Sequence, residues 1–71
     1  MTPPVFFTEA GYKVHVSETH RAARLPFHWS VLRVITGTVV DHGRASSLEY
    51  AKHDARKAIT EHKRQLEERA A

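Results

Sequence analysis

Histidine is the residue with the most chemistry to offer in this chain: His15, His20, His28, His42, His53 and His62 are six imidazoles in 71 residues. Neutral imidazole ligates transition metals and changes charge near neutral pH, so clustered histidines point to a metal centre or a pH sensor. Spacing decides whether they cluster. His53 and His62 stand nine residues apart and fall on different faces of a helix, so they do not make the i, i+4 pair that chelates a metal. Asp41 and His42 are adjacent in a strand-like run and point to opposite faces, which excludes an Asp–His relay between them. His15 and His28 lie in two runs whose antiparallel pairing sets His15 opposite His28 or Ser30. Cys is absent and neither run supplies a carboxylate to that pair, so the three or four ligands of a zinc site are not reached. The expectation is no metal and no cofactor.

Nor does catalysis find its usual parts. Ser, His and Asp occur, but without a nucleophile elbow, a Gly-rich phosphate loop or paired carboxylates. The expected function class is therefore non-enzymatic binding.

The elements that must position these side chains are legible from periodicity. Tyr12-Lys13-Val14-His15-Val16-Ser17 alternates apolar and polar residues, the period of a half-buried strand. Val5-Phe6-Phe7-Thr8 is β-prone and follows two prolines, so residues 1–11 read as an N-terminal tail or an edge strand, with a turn at Glu9-Ala10-Gly11. Phe27 to Ile35 is rich in aromatic and β-branched residues, and Thr38 to His42 continues in kind. A two-residue Thr36-Gly37 turn between them predicts a hairpin with Val34 opposite Val39. Gly43 is expected to break the second strand, leaving antiparallel strands over 12–42.

Ser46 and Glu49 have the spacing of a capping box, and Leu48, Ala51, Ala55, Ala58, Ile59, His62 and Leu66 recur at helical spacing, which predicts a helix over 46–69. Its alanines allow a close approach to the bulky Phe27, Trp29 and Val31, so Trp29 is expected beneath the alanine face. Residues 1–71 thus read as a single α+β domain: an antiparallel β-meander of three or four strands with one long C-terminal helix on one face.

Eleven Lys and Arg against eight Asp and Glu give a formal charge of +3, which permits a nucleic-acid partner without requiring one. No apolar run is long enough to cross a bilayer, and Met1-Thr2-Pro3-Pro4 lacks the basic start of a signal peptide; the expectation is a cytoplasmic chain without membrane contact.

Two surfaces are candidates for binding. Leu32, Val34, Val39 and Phe6 fall on the sheet face that one helix leaves uncovered, which predicts self-association, as a homodimer, or docking on a protein partner. The alternative is weak, sequence-nonspecific binding of double-stranded nucleic acid by Lys52, Arg56 and Lys63 on one helix flank, with Arg44 and the loop residues Arg21 and Arg24. The order of a hairpin, then Gly43-Arg44-Ala45-Ser46-Ser47, then a helix with Ala51-Lys52 and Ala55, resembles the second half of the double-stranded-RNA-binding domain over residues from about Phe27 to His62. Lys52 matches that family's basic helix start; Ser47-Leu48 stands where its paired lysines would be, and Pro3-Pro4 and β-prone runs replace its opening helix.

Overall fold

The computed structural model describes residues 3–19 and 24–70. They form β1 (Val5–Glu9), β2 (Tyr12–Glu18), β3 (Phe27–Arg33), β4 (Thr38–Ala45) and α1 (Leu48–Ala70). The strands make one antiparallel sheet in the order β1-β2-β3-β4, and α1 packs across β2, β3 and β4, the α+β arrangement that periodicity predicts. Residues 5–9 are thus an edge strand rather than a tail. A strand also stands where the double-stranded-RNA-binding domain opens with a helix, so the chain departs from that pattern before Phe27.

Alternation in β2 sends Tyr12, Val14 and Val16 inward, where Trp29, Val31, Ala45, Ala51, Ala55 and Ile59 complete the core. Ala51 and Ala55 are fully buried and let the α1 axis come close to the bulky β2 and β3 side chains. At the far end of the stripe, Tyr12 Oη and His62 Nδ1 share a hydrogen bond at 2.6 Å, and the two rings meet edge to face. The partner of the half-buried His62 ring is therefore a core tyrosine.

Three local features depart from the sequence expectation. Gly43 does not end β4, which runs on to Ala45. It lies under the Trp29 indole, where a Cβ would sit 2.7 Å from ring carbon Cζ2, so its lack of a side chain serves packing rather than strand breaking.

The β3–β4 connection also differs. β3 stops at Arg33, which pairs with Thr38, and Val34 to Gly37 form a four-residue turn closed by the Gly37 N–H on the Arg33 carbonyl at 2.8 Å. Gly37 takes the left-handed φ of 68° that this turn requires. Val34 consequently lies in the turn, and Leu32 is the residue opposite Val39. A β-bulge follows, with Val31 opposite Asp41 and Val40 as the extra residue. Val40 packs against the core as a result, while Val39 stays on the other face.

The helix cap is shifted by one residue. Ser47, not Ser46, is the N-cap: its Oγ accepts from the Tyr50 N–H at 3.2 Å and its carbonyl from Ala51 at 3.0 Å. The Ser46/Glu49 capping box does not form, because β4 pairing holds the chain extended through Ala45.

Candidate functional site

The sheet face away from α1 is built by register. Phe6 pairs with His15, His15 with Ser30 and Ser30 with His42, so these four side chains form one row across the sheet. Ser17, His28 and Arg44 form the row on one side of it, and Thr8, Lys13, Leu32 and Val39 the row on the other. Cross-strand neighbours on one face touch, and here they do so through rings. Phe6 stacks on His15 with centroids 4.5 Å apart, His28 lies 5.9 Å from His42, and Lys13 Nζ sits 5.4 Å from the centre of the Phe6 ring.

The charges on this face have one sign. Lys13 and Arg44 are its full cations, and His15, His28 and His42 are its imidazoles. Each of the three strand acids has helix-side parity instead. Glu9 is opposite Tyr12 and pairs with Arg56 of α1 at 3.5 Å, Glu18 is opposite Phe27, and Asp41 is opposite the buried Val31. Among the described residues, then, the strands place no carboxylate on the open face. Burial pushes the His28 imidazole below its ordinary value, and the His42, Arg44 and His15 charges push it the same way. Arg44 is fixed at the rim, its Nη1 donating to Thr19 Oγ1 at 3.1 Å and to the Leu25 carbonyl at 3.3 Å.

The structure separates the basic residues that the sequence groups together. Arg44 is on the open face, next to the loop that carries Arg24, whereas Lys52, Arg56 and Lys63 belong to α1 on the opposite side of the sheet. Arg56 is engaged by Glu9 and lies 5.4 Å from the centre of the Phe7 ring, so that helix flank is partly neutralised. Arg64 forks between Glu61 and Glu68, the latter at 3.0 Å. The hydrogen bond from Arg64 holds the Glu61 carboxyl below the usual range. Arg21 lies outside the described residues.

The apolar candidates are also dispersed. Phe6 and Val39 are on the open face but in different rows on opposite edge strands, and half-buried Leu32 touches only the second of them by register. Val34 has moved to the β3–β4 turn, where Ile35 is 85% exposed.

On the helix side, Trp29, Asp41, Asp54, Lys57, Ala58 and Glu61 line a recess of about 350 Å³. Among the described residues no three His, Asp or Glu side chains converge as a metal-binding group, and no helix is long and apolar enough to cross a membrane.

Sequence reasoning missed the open-face set of Lys13, His15, Ser30 and His42 as a unit. The signal was available in part: with Tyr12 inside, Lys13 and His15 must face out and Glu18 must face in. The bulge at Val40, which sends Asp41 to the helix side, has no such signal.

No family model matches the chain, and neither the curated proteins nor the solved structures include a significant match.

Proposed function

We propose that this chain is a non-enzymatic nucleic-acid-binding module that meets phosphate with the helix-free face of its sheet. The observation that carries this reading is the segregation of charge: Lys13, Arg44 and three imidazoles share the face from which all three strand acids are turned away. A surface of one sign attracts a polyanion and repels its own copy across a two-fold axis, so the same feature weighs against a dimer built on this face. The ligand contacts are to backbone phosphate, which carries no sequence information, so binding is weak and sequence-nonspecific.

The test is fluorescence anisotropy of a labelled oligonucleotide at two salt concentrations. Affinity should fall steeply as salt rises, and Lys13→Glu with Arg44→Glu should lower it by at least about tenfold. Lys52→Glu with Lys63→Glu should change it little. The reverse ranking would return the binding surface to the helix.

A second reading, self-association, is supported by the end of the β3–β4 hairpin. Val34, Ile35 and Val39 are 56%, 85% and 55% exposed there, an apolar patch of the kind that marks contact with another chain. Val34 and Ile35 lie in the turn beyond the basic face, and Val39 sits at the edge of that face in the row of Lys13, so self-association through the turn leaves Arg44 and the histidine row free.

A further inference from the structure

We propose that the nucleic acid taken by the open face is single-stranded, with a base inserted over Ser30 between His15 and His42. This rests on the nucleic-acid reading above and adds the class of strand. The row Phe6, His15, Ser30, His42 carries rings at three positions and one small side chain. Strands are spaced about 4.8 Å, so His15 and His42 stand roughly 9.5 Å apart across Ser30. A base stacked on both rings needs them about 6.8 Å apart, twice the 3.4 Å stacking interval, so the backbone spacing leaves room for it and the two imidazoles close on it by turning in over Ser30.

The surroundings suit such an occupant. Phe6 stacks behind His15 at 4.5 Å and backs that wall of the slot. Phe6 is 57% exposed, an aromatic residue of the kind on which unstacked bases settle. Ser30, the one small residue of the row, would form the floor. Lys13 and Arg44 flank the row on either side, where phosphates of a strand crossing the sheet would pass.

A duplex does not fit the same features. Reading its major groove takes a helix or a two-stranded ribbon that projects into it, whereas here four paired strands present a broad face. Paired bases cannot enter a slot between two side chains without leaving their stack. A duplex can therefore touch Lys13 and Arg44 but not the slot.

Anisotropy with a labelled 12-nucleotide single strand and with its duplex, at low and physiological salt, tests this. The single strand should bind at least about tenfold more tightly. Ser30→Leu, which fills the slot, and Phe6→Ala, which removes an exposed ring, should each weaken single-strand binding by roughly 5- to 150-fold and leave duplex binding unchanged. Circular dichroism melting checks that each variant is folded. Duplex binding equal to or tighter than single-strand binding, or indifference to both variants, overturns the single-strand assignment while leaving a phosphate-binding face. Absence of binding to either nucleic acid at low salt overturns both readings. A change of molecular mass in Phe6→Ala, with no nucleic acid bound, assigns the face to a second copy of the chain instead.

Discussion

The indole of Trp29 lies directly over the Cα of Gly43, so close that a methyl group at position 43 would approach ring carbon Cζ2 to 2.7 Å. The two residues are paired across β3 and β4, and the contact lets a 7% exposed tryptophan reach under the helix. Gly43→Ala should displace the ring and destabilise the fold by about 1–3 kcal/mol through overpacking. Urea denaturation and tryptophan fluorescence read this. An unchanged midpoint with an unchanged emission maximum would mean that the indole has room to shift.

The β1–β2 hairpin stores a smaller cost. Ala10 and Gly11 both take positive φ, 52° and 86°, the conformation of a type I′ turn, and a left-handed alanine costs about 1–2 kcal/mol. Asn tolerates that region, so Ala10→Asn should raise stability by roughly 0.5–1 kcal/mol, read as a higher denaturation midpoint. Loss of stability in this variant would contradict the turn assignment.

Acid should loosen the sheet through His28. Its folded-state pKa is depressed by burial and by the His42, Arg44 and His15 charges, so the unfolded chain takes up the proton at higher pH than the native one. The contribution to stability is fully present above the unfolded imidazole value of about 6.5 and is lost as pH falls through and below it. Thermal melts from pH 8 to pH 5 should show Tm falling across that window, with a shallower fall in His28→Gln. A bound polyanion favours protonated imidazole, so nucleic-acid affinity should rise over the same interval. A flat or opposite trend in affinity would remove the imidazoles from the site.

The hairpin end should control any self-association. Ile35 is 85% exposed and is not part of the core, so Ile35→Lys should leave the unfolding free energy within about 0.5 kcal/mol of the parent and abolish concentration-dependent mass. Analytical ultracentrifugation over a wide concentration range decides it. A constant monomer in the parent, or a dimer unaffected by the variant, would end the self-association reading.

The architecture was readable in the sequence wherever a periodic pattern coincides with burial. Strict alternation at Tyr12–Ser17 can satisfy only a strand with one wet face, and the apolar stripe from Leu48 to Leu66 can satisfy only a helix laid along a core. Those signals are local, and they hold because each residue's inward or outward direction follows from its neighbours in the chain. The candidate surfaces were not local. Whether Asp41 shares a face with His42's neighbours or joins the helix side depends on one extra residue at Val40. Nothing in the residues 38–45 themselves demands that bulge; pairing with β3 and packing under α1 decide it. The same tertiary choice put Val34 in a turn and Leu32 opposite Val39. It also carried Arg44 to the face opposite Lys52, Arg56 and Lys63, although Arg44 and Lys52 are eight residues apart in the chain. Sequence periodicity determined which residues could be buried together; the register of β4 determined which charges were left together on the outside.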